Sequence, residues 1–511
     1  MARRGQWRAQ PLVAVVNAPT LRPDGSILDK PGYDAATGLL FVNTAIEFEP
    51  IPQHPTREQA LAALHYLKDE VLSGFPFAAA HDRSAALSAI ITPTERHSLK
   101  AAPMHAVKAP VMASGKSLLV DASSLIAVGV PATVMSYTRD ADETRKRVLS
   151  VLMQGDLVVN LDNVEAPLAS QTLCSVLTQE SFTDRILGVN KTGTAPTLCC
   201  WYATGNNLVI AGDLTTRVVP ISLDPQVERP EEREFQRNLY DWIPAHRPRL
   251  IRAALTILRA YVVAGRPKQP IKNFARFEDW SNWIRAALVW LGEADPLAGR
   301  EALEDGDPIR LKLRALLVAW HSAFKTAPAS TKEAKARALE TQLDDDRHEA
   351  PAAPLLREAL EDHFTDRAGA ISSNAIGYFL RQHAARIESG ARFEAYGGNA
   401  ARQAWRVAVI DAARFSTACN AVAKNTESSQ TSQASQHPNS EDTARTSPAE
   451  VEINELADDS PGLGCGQGWD GCHGWDVSPK PENFADGKTA SPVARILARL
   501  HGVPAGVADE E

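Results

Sequence analysis

Gly115, Lys116 and Ser117 stand together just before Leu118, Leu119 and Val120, an apolar run with the character of a helix start. A phosphate-binding loop needs these three residue types. Glycine lets backbone N–H groups approach phosphate oxygens, lysine reaches the β- and γ-phosphates, and a hydroxyl ligates magnesium. The helix that follows adds unpaired N–H groups and the positive end of its dipole. Pro110 to Ser117 therefore reads as a loop for ATP with Mg2+, and Ala113, Ser114, Gly115, Lys116, Ser117 and Leu118 are its nucleotide-contacting residues. The strict pattern has glycine where Pro110 stands, and many such loops have another where Ala113 stands, so the Gly-Lys-Ser core alone is intact. A chance triplet at a helix start is the alternative.

Two further strand ends carry chemistry. Leu157 to Asp162 is a near-continuous apolar run that closes on a carboxylate. An acidic group at the C-terminal end of a strand beside a phosphate loop holds the hydrated magnesium ion, so Asp162 joins Ser117 as a metal ligand. The alternative is a core strand ending in a solvated aspartate. Leu198 to Ala203 is apolar as well and ends in Thr204-Gly205-Asn206-Asn207, which simple turn chemistry also explains. Beyond it, Asp213-Leu214-Thr215-Thr216-Arg217 precedes the strand Val218 to Leu223. Arg217 suits a finger that reaches a neighbouring subunit's γ-phosphate; a surface arginine before a strand is the alternative.

The elements that must position these groups follow from the pattern of the chain. Residues 100–225 alternate strand-like and helix-like runs, the signature of a parallel sheet covered by helices. Val107 to Met112 leads into the loop, and Ser117 to Val128 is its helix. Ala132 to Tyr137 is a strand and Asp142 to Gly155 a helix. Upstream, residues 1–55 hold short β-like pieces separated by turns, a β-rich arm. Residues 56–99 are helical, with Thr56 placed as N-cap of a helix to Leu72 and a second helix from Arg83 to Thr92. Residues 226–325 read as a helical lid. Its apolar stripe is Trp242, Leu250, Ile251, Ala254, Leu255 and Leu258, with Arg247, Arg249, Arg252 and Arg259 as basic charge on a solvated face beside it. An aromatic core stripe follows at Phe277, Trp280, Trp283 and Trp290. Residues 326–350, rich in Lys, Ala and acidic groups, read as a linker or solvated helix.

In this order, the phosphate loop, the carboxylate strand, Thr-Gly-Asn-Asn and Asp-Leu-Thr-x-Arg resemble the helicase part of phage- and plasmid-type primase-helicases, within the superfamily 3 and AAA+ P-loop ATPases. Pro23-Asp24-Gly25, Pro31-Gly32-Tyr33-Asp34, Phe75-Pro76-Phe77, Asp184-Arg185-Ile186-Leu187-Gly188 and Phe277-Glu278-Asp279-Trp280 agree with it over residues 10–410. The resemblance implies an α/β fold: an AAA+-like core, a helical lid, a C-terminal winged-helix-like domain and a disordered tail. It implies a DNA helicase or translocase of phage- or plasmid-type replication that works as a homo-oligomeric ring on single-stranded or forked DNA. Asn206 or Asn207 would then orient the attacking water. Lys191, in the turn Gly188 to Pro196, would point into the ring's pore to grip DNA; a plain surface turn is the alternative. Asn163 departs from the family, whose members often have a second acidic residue there. Glu165 is a weak substitute, and hydrolysis is expected to be slow. Residues upstream of 55 have no room for a primase domain, so the resemblance leaves two expectations, a remnant or a subunit working with a separate primase.

Residues 351–415 follow a helix-helix-hairpin order, with Arg381, His383, Arg386, Arg392, Arg402 and Arg406 available for phosphate contacts or for purely structural use. From 416 to 511 the composition turns to Ser, Thr, Gln, Asn, Pro and acidic residues, a disordered tail. Cys465, Cys472 and His473 in it fall short of the four ligands of a zinc site. At 511 residues the chain exceeds one core, its 44% hydrophobic content is that of an ordinary soluble protein, and its six cysteines lack the regular spacing of a disulfide framework. No run has membrane-span character and the N-terminus has no signal-peptide core, so a cytoplasmic location is expected. The net charge of −8 sits partly in the tail and decides little about nucleic acid. Two rival readings remain: a degenerate ATP-binding scaffold or non-helicase ATPase of a mobile element, and a small-molecule P-loop kinase.

Overall fold

The computed structural model describes residues 10–42, 45–186, 191–233, 237–343, 348–366, 368–397 and 403–422. The turn residues 187–190, Gly398, Arg402 and the expected tail from 423 on, with its Cys465, Cys472 and His473, lie outside the described residues.

Five strands form a fully parallel sheet: β1 (Met104–Ala109), β2 (Thr133–Ser136), β3 (Val158–Asp162), β4 (Cys200–Asn206) and β5 (Val218–Ser222), in the order β5-β1-β4-β3-β2. Strands buried on both faces read as continuous apolar runs, which is why Val158, Val159 and Leu161 in β3 and Trp201, Tyr202 and Ala203 in β4 are all buried. Parallel pairing requires crossovers, and the helices supply them. The flanking helices are α1 (Arg57–Leu67), α2 (Ala80–Thr94), α3 (Lys116–Ala127), α4 (Ala141–Gln154) and α5 (Gln171–Val176). Their ends follow local chemistry. Thr56 and Gln59 close a capping box on α1, Asp140 caps α4 by accepting from Asp142 N and Glu143 N, and Gly155 ends α4 in the left-handed conformation.

At the end of α2, Glu95 is fully buried. Its Oε2 accepts from Leu21 N at 3.1 Å and from Thr20 Oγ1 at 3.3 Å, which ties the N-terminal segment to the core. Burial pushes the Glu95 carboxyl up to about 8.

The long α6 (Leu239–Val263) packs on α1 and α3 through Ile243, Leu250, Ile251, Ala254, Leu255 and Leu258, while Trp242 is only half-buried. A helix running through Glu278–Trp280, a π-turn at Ser281–Arg285 and Ala286–Trp290 buries Trp280 and Trp283 in the same apolar core as the sheet. The expectation for Arg247 needs correcting: it is buried, not part of a solvated basic face. Its guanidinium donates to the carbonyls of Ile126 at 2.9 Å and Ala127 at 2.8 Å and to Asn17 Oδ1 at 2.8 Å, while Asn17 Nδ2 donates to Val128 O at 2.9 Å. These are the orphan carbonyls of the α3 C-terminus, where a cation complements the helix dipole. Burial lowers the Arg247 pKa to about 10.

The C-terminal region contains α7 (Pro308–Phe324), β6 (Ala329–Ser330), α8 (Thr331–Leu339), α9 (Pro354–Phe364), α10 (Ser373–His383) and the hairpin β7 (Ala391–Tyr396) with β8 (Ala404–Val409). Of the two expectations for 326–350, a linker or a solvated helix, the first half holds a helix, and it is also tied to the fold: β6 pairs with β8, and α8, held by a Ser330–Glu333 capping box, buries Ala334 and Ala338. Two alanines four apart make too small an apolar face to stand out among charged neighbours. Arg392 and Arg406 share the one carboxylate of Glu394, so part of their positive charge is compensated within the hairpin. The expected tail boundary at 416 falls inside a helix over 412–422 in which Phe415 and Ala418 are buried.

Candidate active site

The C-terminal ends of β1, β4 and β3 place Ala109, Asn206 and Asp162 along one edge of the sheet, with β4 inserted between the loop strand and the carboxylate strand. A crevice outside the carboxyl ends of such strands is where open α/β sheets bind ligands. The chain leaves β1 at Pro110, turns through Ala113 with φ 55° and Gly115 with φ 89°, and enters α3 at Lys116. Gly115 is needed for its positive φ, and a Cβ there would also meet the Phe75 ring at 3.3 Å. Ser114 is buried and donates to Val111 O at 2.7 Å, which closes the loop on itself. Gly115 provides no side-chain cap for α3, so the N–H groups of its first turn stay available to an anion.

Two separate segments, the ends of β3 and β4, converge on this loop. Lys116 Nζ donates to Asn206 Oδ1 at 2.8 Å and to Val111 O at 3.0 Å. Ser117 Oγ donates to Asp162 Oδ1 at 2.9 Å. The same carboxylate oxygen accepts from Thr204 Oγ1 at 2.6 Å and from Asn160 Nδ2 at 3.2 Å. Burial lowers the Lys116 pKa and the nearby Asp162 charge opposes that shift. A hydroxyl and a carboxylate this close are the hard-oxygen pair that suits Mg2+, and the uncapped helix start with its lysine suits a polyphosphate. The donor set therefore fits both groups.

The other candidate residues stand apart. Asn207, at φ 47°, is exposed, and its N–H donates to Ala109 O at 2.9 Å, so its backbone rather than its side chain holds the end of β4 against β1. Arg217 ends the 3-10 turn Gly212–Arg217 and donates to Thr216 Oγ1 at 3.0 Å and to Asp213 O. It contacts none of Lys116, Ser117, Asp162 or Asn206. Lys191 is exposed beside the antiparallel pair Ser181–Arg185 and Thr192–Pro196, and its carbonyl accepts from Ile186 N at 2.9 Å. Sequence reasoning missed Thr204 and Asn160 as partners of Asp162. Strand alternation held the signal: each lies two residues before a candidate, Asn206 or Asp162, and therefore on its face.

No protein-family model matches the chain, and no curated protein matches it. Among solved structures, an A form apo structure of the NrS-1 C-terminal region is similar at 14% identity and a TM-score of 0.34, over 57% of this chain and 64% of that one. An A form apo structure of NrS-1 305–718 is similar at 12% identity and a TM-score of 0.36, over 75% of this chain and 84% of that one. The X-ray structure of JCV helicase is similar at 13% identity and a TM-score of 0.21, over 50% and 74%. The match thus spans just under two thirds of the first of these structures, and scores of this size carry no argument about function.

Proposed function

We propose that the chain is an AAA+-like P-loop ATPase of superfamily 3 type that couples ATP hydrolysis to movement on DNA as a ring-shaped homo-oligomer. The observation that carries this reading is the meeting of Lys116 with Asn206 at 2.8 Å and of Ser117 with Asp162 at 2.9 Å, which joins loop, carboxylate strand and asparagine strand at one sheet edge. In the proposed mechanism Lys116 neutralises the β- and γ-phosphates, and Ser117 and Asp162 would hold a magnesium ion, which would supply further neutralisation of phosphate charge. Thr204 and Asn160 fix the Asp162 carboxylate. As the chain stands, the Asn206 carbonyl oxygen accepts from Lys116. A γ-phosphate competes for that ammonium and frees the amide to orient water. Arg217 serves a neighbouring subunit's site, in keeping with its lack of contact with its own. Lys191 grips DNA from the pore, the 226–325 helices act as the lid, the 351–415 region is a winged helix, and a separate primase is the working partner.

The test is Mg2+-ATP binding and hydrolysis by the purified chain with and without single-stranded DNA. Binding, hydrolysis and stimulation by DNA are expected, with binding lost in Lys116→Ala, the variant without the cradle's full positive charge. Unchanged affinity in that variant refutes the phosphate-loop reading. Hydrolysis indifferent to DNA refutes the helicase reading and favours the non-helicase ATPase or kinase.

A further inference from the structure

β3 and β4 pair in strict parallel register, Cys200 opposite Val158 through Ala203 opposite Leu161, with Cys200 N donating to Leu157 O at 2.7 Å. Continued by one residue, that ladder sets Thr204 opposite Asp162 and has Asn163 N donate to Thr204 O. The chain departs from this by one residue. Val164 N makes the bond to Thr204 O, at 2.7 Å, while Asn163, at φ 49°, is displaced and its N–H turns to Thr204 Oγ1 at 3.3 Å. Asn163 is thus the extra residue of a bulge, a device that re-aims the side chains beyond it. Along a regular strand Val164 would share a face with Asn160 and Asp162, whose side chains meet at 3.2 Å. Past that displacement Val164 falls to the core side, where it is 2% exposed, and Glu165 follows it as an exposed residue. Asn163 Nδ2, one residue beyond Asp162, donates to Glu165 Oε1 at 3.1 Å and holds that carboxylate. Glu165 is exposed and free to meet solvent.

We propose that Glu165, aimed by the bulge and held by Asn163, is the carboxylate that polarises the attacking water. The residue after Asp162 is an amide, so the base is relayed one bulge further along the chain. This rests on the ATPase reading above. In the step, the water oxygen bonds to the γ-phosphorus and the bond from that phosphorus to the β,γ-bridging oxygen breaks. The bridging electron pair leaves with ADP, and the water proton passes to the Glu165 carboxylate and then to solvent.

The experiment compares the full chain with Glu165→Gln and with the double variant Asn163→Glu/Glu165→Gln. It measures Mg2+-ATP affinity by fluorescent-nucleotide titration, single-turnover hydrolysis and thermal melting. Glu165→Gln is expected to lower the hydrolysis rate by about 10²-fold or more, the range for loss of a positioned base, with affinity and melting unchanged. Because a glutamate directly after Asp162 restores a carboxylate near it, the double variant should recover part of the rate. Parental hydrolysis in Glu165→Gln overturns the assignment while leaving the ATPase reading intact. A parent chain that binds Mg2+-ATP and never hydrolyses it overturns the assignment as well. A parent chain that does not bind the nucleotide overturns both.

Discussion

Gly205→Ala is a one-atom probe of how rigidly the site is set. Gly205 lies within β4 at the end nearest the loop, and a Cβ added there would sit 2.5 Å from Val164 O and 3.3 Å from Leu208 Cβ. The first contact is with backbone, so no rotamer change relieves it. Reaching an ordinary C···O separation of about 3.3 Å needs a displacement of roughly 0.8 Å. The Val164 carbonyl cannot move that far without disturbing the bond from Val164 N to Thr204 O, and with it the bulge that follows Asp162 and aims Glu165. Overpacking of this kind costs about 1–3 kcal/mol. A shift approaching 1 Å in the catalytic geometry can cost about 10²-fold in rate. The expected result is thus a measurable loss of stability in urea unfolding and a much larger proportional loss of ATP hydrolysis. Gly306→Ala is the control. There a Cβ meets Ala302 O at an ordinary 3.5 Å with φ at −82°, and both readouts should stay near parental values. Parental stability and hydrolysis in Gly205→Ala would refute the claim that the end of β4 fixes the turn after Asp162.

Two further outcomes are expected. Arg217→Ala and Lys116→Ala should each be inactive in hydrolysis alone yet recover activity when mixed, because a mixed interface pairs an intact loop with an intact finger. Arg217→Lys should also fail, since an ammonium lacks the forked donor geometry, and parental hydrolysis by Arg217→Ala alone refutes the shared site. Glu95 has a folded pKa of about 8, raised by burial above the usual carboxylate value, so its folded form holds the proton more tightly. Its contribution is full below about pH 4.5 and is lost as pH rises through about 8, at most about 1.4 kcal/mol per pH unit. Unfolding free energy followed over that window should fall in the parent and run flatter in Glu95→Gln, and parallel curves would show that Glu95 is not the source.

The strand ends were readable because a buried parallel strand must be apolar and must stop where polar chemistry begins. Leu157 to Asp162 and Leu198 to Asn206 carry both signals in their residue order. The same reasoning could not find the bulge. One extra residue in a ladder leaves no mark on composition, and Asn163 looked only like a missing acid. Arg247 misled for a related reason. A long cation on a helix reads as solvated until another helix is known to end beneath it, and that meeting of α6 with the tail of α3 joins residues far apart in the chain. Thr204 was hidden in plain alternation, since the apolar run stops at Ala203 while β4 continues to Asn206.

The Arg247 anchor makes α3 a lever fixed at its far end. Its 12 residues span about 18 Å at 1.5 Å per residue. An angular slack of about 5° at the anchored end would carry the phosphate-facing end through roughly 1.5 Å, more than a reacting geometry tolerates. Tilting or sliding the helix would strip the carbonyls of Ile126 and Ala127 of their buried donor, so that slack is denied at the end of the helix remote from the loop. The aim of the proposed phosphate loop is thus kept true partly by a guanidinium and by Asn17 of the N-terminal segment, at the far end of α3. Mutations that loosen nucleotide handling will therefore include some that lie a full helix length away from it.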